Sequence, residues 1–196
     1  YLVARELGWR APAQSRARWQ HGWWYTPPVH AAELVGEDGR DYVFLVATEE
    51  MVRFLQQHGF RNAFAVGLPF VYANYVDVER RPKSLLVMPP HSYAETEHGW
   101  DEDAYAGEIA ALRPHFSSIV ACISASCVEK GYWTGAFARH DIPWIVGAAP
   151  SDRNALVRMH TILKSFEYMT TNTIGSHVAY AAYCGCKVSI YGTYAN

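Results

Sequence analysis

From residue 84 onward the chain repeats one pattern. A short, nearly unbroken apolar run is followed by a turn of small or polar residues, then by a segment with helical spacing. Apolar runs at 84–88, 118–123, 144–146, 168–171 and 187–191 alternate with helical segments at 101–112, 126–139, 153–166 and 174–184. A strand that is apolar on both faces needs helices covering both sides. Strands joined through helices pair in parallel. The pattern therefore predicts an α/β fold over 81–196: a Rossmann-like, doubly wound parallel sheet with right-handed crossovers.

The upstream part reads differently. Residues 1–40 are irregular and rich in Trp, Arg and Pro. A strand is expected at 41–48, then a helix at 49–58 capped by Thr48 and stopped by Gly59, and a short strand at 63–66 leading into Gly67-Leu68-Pro69-Phe70. The polar stretch 76–83 holds Pro82 and is the expected linker. It divides the chain into 1–80, part of a second α/β domain, and 81–196. With Tyr1 first and Asn196 closing on a strand, the expectation is that the natural protein extends past one or both ends.

Composition narrows the function classes. Hydrophobic residues make up 50% and charged residues 18%, which suits a buried core and argues against disorder. The net charge is -2 and no Lys/Arg run exceeds two residues, so no nucleic-acid partner is expected. No apolar run reaches the ~20 residues of a membrane span; a peripheral membrane contact stays open. Arg5, Glu6 and Arg10 interrupt the first apolar residues, so no secretion leader is visible. Cys122, Cys127, Cys184 and Cys186 lack paired metal-knuckle spacing and read as buried, reduced thiols in a cytoplasmic protein.

In an open parallel sheet, ligands bind outside the carboxyl ends of the strands. After the first run comes Met88-Pro89-Pro90-His91-Ser92, where two prolines stiffen the exit and His91 can donate to a phosphate. After the run at 144–146 come Gly147 and then Ser151, Asp152 and Arg153. Gly147 lets backbone approach a planar ligand, and Arg153, expected in a helix first turn where the dipole disfavours a cation, calls for an anion, either Asp152 or a phosphate. The strongest signal is Thr170-Thr171-Asn172-Thr173-Ile174-Gly175-Ser176-His177, between a strand and a helix. Four hydroxyls within seven residues at a helix start exceed the needs of one cap and suit a phosphate. Walker, GxGxxG and GxSxG motifs are absent, and no acidic pair sits at a strand end to hold a divalent metal. Asp101, Glu102 and Asp103 open a helix, where acidic side chains suit the dipole. In the first part, His21 beside Gly22 and among indoles fits a general base in a partly dry cleft, with Trp23, Trp24 and Tyr25 available to stack on sugar faces. An aromatic core cluster with one satisfied histidine is the simpler account of the same residues.

Taken in order, His21-Gly22-Trp23, Gly67-Leu68-Pro69-Phe70, the 76–83 linker, Pro89-Pro90-His91-Ser92, the turn at 147–156 and the stretch 170–192 resemble a GT-B glycosyltransferase of the bacterial surface-polysaccharide type. The resemblance spans roughly 19–196 and is specific at 170–192. It implies that 81–196 is the C-terminal, nucleotide-sugar-binding domain. Thr171, Asn172, Thr173, Gly175 and Ser176, with His91 and Ser92, would grip the donor phosphate. Gly147, Asp152 and Arg153 would lie near the nucleotide, Trp23, Trp24 and Tyr25 near the acceptor, and His21 would be the base. Where family members carry Gly-Lys-Pro-Val, this chain has Gly185-Cys186-Lys187-Val188, and its Pro-His-Ser corner differs from the His-Pro corner of related enzymes. The implied activity is metal- and cofactor-independent transfer of a sugar from a nucleotide-sugar donor to a glycan acceptor. A nucleotide-sugar epimerase would need acidic residues deep in the cleft, and none stands out. The alternative from another class is a non-catalytic or degenerate nucleotide- or sugar-binding module.

Overall fold

Three short strands, β1 (Ala17–Trp19), β2 (Val43–Val46) and β3 (Ala63–Ala65), pair in parallel in that order. They come from a computed structural model that describes residues 17–26, 28–36, 39–73, 77–92, 96–149 and 151–195. The chain forms two compact units, divided between Ala73 and Asn74. In the first, α1 (Ala32–Val35) and α2 (Glu49–Gln57) connect the strands. Thr48 caps α2 by accepting from Met51 N–H at 3.4 Å. Met51, Val52 and Leu55 on α2 pack with Phe44 and Val46 of β2, Val35 and Ala63. The 67–70 segment closes the unit. Gly67 has φ +78°, Leu68 and Phe70 are buried, and Trp19 Nε1 donates to Gly67 O at 2.7 Å.

The second unit runs β4 (Arg81–Val87), α3 (Glu102–Ala110), β5 (Ser118–Ile123), α4 (Ala125–Lys130), α5 (Thr134–Arg139), β6 (Trp144–Val146), α6 (Ala155–Ser165), β7 (Phe166–Thr171), α7 (Ser176–Tyr183) and β8 (Lys187–Ile190). All five strands are parallel, in the order β6-β5-β4-β7-β8. This is a Rossmann-like sheet, with β4 at its centre. Ser84, Leu85, Leu86 and Val87 are all buried, as a strand covered on both faces requires. Leu85 and Val87 join one core with Tyr105, Ile109, Trp133, Ala136 and Phe137 from the α3 to α5 side. Leu86, alternating to the opposite face, is fully buried and contributes about 1.5–3 kcal/mol by the transfer of its side chain from water.

Three expectations need correction. Residues 1–40 are not irregular throughout: β1 and α1 lie there, both too short to show a periodic signal. The expected helix over 126–139 is two helices. Gly131 is left-handed at φ +78°, Tyr132 N–H returns to Cys127 O, and Trp133 takes φ +67° with its indole fully buried. The break turns the chain so that this indole reaches the core. The 76–83 linker is largely built into the second unit. β4 starts at Arg81, and the Arg80 guanidinium donates to the carbonyls of Cys184, Gly185 and Lys164. Val76 and residues 1–16 lie outside the described residues.

Candidate functional site

The order β6-β5-β4-β7-β8 places one reversal in the sheet. The chain leaves β4 toward β5 on one side and leaves β7 toward β8 on the other. Loops diverging from neighbouring strands open a crevice at their carboxyl ends, the usual ligand position in such sheets. Val87 is in register with Thr170, and Met88 N–H donates to Thr170 O at 2.8 Å. A crevice of this kind would lie between the Pro89-Pro90-His91-Ser92 exit and the 171–176 segment, which the β4–β7 pairing makes neighbours. Sequence reasoning chose these two segments independently, and the topology makes them neighbours.

The β7 side is layered. Thr171 and Asn172 are buried, Thr173, Gly175, Ser176 and His177 are half-buried, and Ile174 is exposed. The Thr171 hydroxyl sits 2.9 Å from His177 Nε2 and 3.3 Å from both the N–H and the carbonyl of Thr173. It is a buried anchor for the turn above it. Asn172 Nδ2 donates to Thr193 O at 2.9 Å, and its buried Oδ1 has no partner among the described residues. α7 opens at Ser176 after Gly175, with no side-chain cap, so the positive end of its dipole stands at the exit of β7. The Ser176 hydroxyl bonds to that of Tyr180 one turn on.

On the β4 side His91 is exposed and Ser92 is buried. Ser92 is a latch: its N–H donates to Cys127 Sγ at 3.1 Å, its hydroxyl donates to Thr96 O at 3.3 Å and accepts from Lys130 Nζ, and its carbonyl accepts from the Ser126 hydroxyl. These bonds fix the loop that presents His91. Burial, with a smaller electrostatic contribution from His91, pushes the His177 imidazole down to about 4. His177 is therefore neutral at pH 7. Burial pushes Cys122 up to about 12 and Cys184 up to about 11, so both stay protonated thiols.

The residues after β6 form a different neighbourhood. Gly147 is buried, and a methyl there would meet Cys122 Sγ at 3.3 Å and Ile123 O at 3.5 Å; close packing accounts for this glycine. Asp152 accepts from Asn154 N–H at 2.8 Å. Arg153 is exposed and precedes α6, so the dipole argument for an anion beside it does not apply. The cation fixed at this strand end is Arg158, whose Nε and Nη2 donate to the carbonyls of Val146 and Gly147. Sequence reasoning missed Arg158 and His177. The first lies within an expected helix; the second closes a string of hydroxyl residues that drew all the attention.

The first unit carries a separate pocket of about 280 Å³ past the end of β2, lined by Trp23, Trp24, Tyr25, Thr26, Pro28, Thr48, Glu50, Met51 and Phe54. Trp23 and Tyr25 are exposed at 38% and 49%, while Trp24 packs against the unit's core. Gln20 is buried and holds this loop: Ala47 N–H donates to its Oε1 at 2.9 Å, and its Nε2 donates to Gly22 O at 2.8 Å. His21 is exposed, not set in a dry cleft, and is not among the residues that line the pocket. No group of His, Cys, Asp and Glu able to hold a metal ion occurs among the described residues, and no described helix is long and apolar enough to cross a membrane.

No family model matches the chain, and no curated protein matches it. Among solved structures it is similar to a chain in the crystal structure of the GtfA/B complex, at 18% identity and a TM-score of 0.39, over 77% of this chain and 30% of that one. The chain spans less than a third of that neighbour's length, and a likeness this distant carries no argument about function.

Proposed function

We propose that the second unit binds the phosphate of a nucleotide-sugar donor and that the protein belongs to a GT-B glycosyltransferase acting on a glycan acceptor. The observation that supports the reading is the pairing of β4 with β7 at the sheet's reversal point, which makes two phosphate-suited segments neighbours, with His91 exposed after one strand and Thr173 and Ser176 half-buried after the buried Thr171 of the other. In transfer, the acceptor oxygen bonds to the anomeric carbon while the sugar–phosphate bond breaks and its electrons leave with the nucleotide. Hydroxyls, an imidazole and the α7 dipole oppose that developing charge without requiring a metal. The aromatic pocket of the first unit suits the glycan, and His21 is the proposed base for the acceptor proton. The free, buried cysteines fit a reducing, cytoplasmic setting.

Calorimetry with UDP, GDP and CMP tests the donor site. Thr173→Val and Ser176→Ala should each weaken the nucleotide that binds by ~1.5–3 kcal/mol, the usual worth of a hydrogen bond to a charged group. Unchanged affinity in both variants rejects the site. The exposure of His21 favours a second reading, a binding module without transfer activity. The two separate on His21→Ala: a transferase loses turnover, whereas a module shows none to lose and binds donor as before.

A further inference from the structure

One group at the crevice has no role in the site as proposed so far. His177 leads back from the first turn of α7 to Thr171 beneath it, and its Nε2 lies 2.9 Å from the Thr171 hydroxyl. Its ring is seated on Gly175: a Cβ at that position would stand 3.0 Å from both Cε1 and Nδ1 of the imidazole. Gly175 has extended backbone, open to any residue, so this ring and not the dihedral is what calls for glycine. The Thr171 hydroxyl in turn meets both the N–H and the carbonyl of Thr173. Gly175, His177, Thr171 and Thr173 thus form one closed set of contacts around the turn that enters α7.

We propose that His177 is a positioning residue of the donor-phosphate cradle, its imidazole seated on Gly175 and hydrogen-bonded to Thr171 so that the 171–175 turn keeps the shape that receives a phosphate. The inference rests on the donor-site reading above. His177 does not act as a cationic ligand: one nitrogen is committed to Thr171, and burial beside His91 keeps the ring neutral. Its contribution is geometric and passes through Thr171 to the half-buried groups above. A side chain that keeps an N–H near the place of Nε2 should substitute for it; one of similar bulk without a donor should not.

The experiment compares His177→Gln with His177→Leu, each alone and combined with Thr171→Val, by calorimetry with UDP, GDP and CMP and by thermal unfolding. His177→Leu should weaken the bound nucleotide tenfold or more, and His177→Gln less than threefold. The Leu change added to Thr171→Val should cost little more, because both remove the same contact. A merely structural histidine would lower the melting temperature equally in both variants without this split in affinity. Equal affinity in the Leu variant and the wild type, or equal loss in Gln and Leu variants that stay folded, overturns the inference. If the wild type binds none of the three nucleotides, the donor reading fails, and histidine ¹⁵N NMR then tests the contact by itself. One neutral His177 tautomer that becomes a mixture in Thr171→Val supports the anchor; an unchanged spectrum overturns it.

Discussion

The two candidate regions both sit just past the carboxyl end of a parallel strand, yet they are made of different matter. The crevice of the second unit is founded on buried polar groups: Ser92, Thr170, Thr171 and Asn172 are all at most 2% exposed. The pocket of the first unit is lined mainly by the rings of Trp23, Trp24, Tyr25 and Phe54 with Met51, joined by Thr26, Thr48 and Glu50, and the buried Gln20 clamps its loop. Buried polar groups must keep their partners, since an orphaned one costs its full desolvation. Aromatic walls hold shape by area and tolerate exchange of one ring for another. On the proposed function, the crevice would take a ligand recognised by position and charge, and the pocket one recognised by its faces.

The core beneath the crevice should outweigh any change within it. Leu86→Ala, on the central strand and fully buried, is expected to cost ~2–5 kcal/mol in urea unfolding. A loss below about 1 kcal/mol, the ordinary size for a random substitution, would mean the sheet is not the foundation described.

Acid should come next, and it separates the two regions because the buried imidazole belongs only to the crevice. His177 in the folded chain titrates near 4, below its ordinary 6.5, so the unfolded chain takes up the proton first. Stability is full above pH 6.5 and falls as pH drops toward 4, by on the order of 2–3 kcal/mol if this group acts alone. His160 is lowered by burial and by Lys164 and adds loss of the same sign. Unfolding at pH 7 and pH 5 should therefore show a shallower pH slope in His177→Gln than in the wild type. Equal slopes would remove His177 from the account.

The clamp of the first unit offers the matching test. Gln20→Leu keeps the bulk but strips both bonds, leaving Ala47 N–H without its acceptor. The expected loss is ~1–3 kcal/mol by chemical denaturation. No loss would show that rings alone hold the pocket.

The sheet of the second unit was readable because its strands recur as apolar runs between helical segments, so that even the three-residue 144–146, like 118–123, matches to the residue. β1 and α1 were not, since three or four residues carry no period. The break between α4 and α5 was missed because Gly131 is tolerable within a helix and only the burial of Trp133 demands the turn. In the crevice, residue types pointed to the two segments, and the strand order, which sequence does not state, made them adjacent. The layering was hidden. Thr171 and Thr173 look alike in the chain, but the first is buried under the second, and the histidine that ties them lies six residues from its partner.

The smallest expected effect belongs to the aromatic pocket, where no single contact dominates. Trp23 is 38% exposed, so Trp23→Ala should leave unfolding nearly unchanged while removing one stacking face. Titration with neutral oligosaccharides, followed through the remaining tryptophans, should show affinity lowered by ~0.5–1.5 kcal/mol, the range for one aromatic contact beyond its burial. Trp23→Phe should recover most of it, because a face remains. A charged nucleotide should be insensitive to both changes if the first unit recognises faces and the second recognises charge. Should Trp23→Ala weaken nucleotide binding instead, the division of labour between the two regions would be wrong, whatever each of them binds.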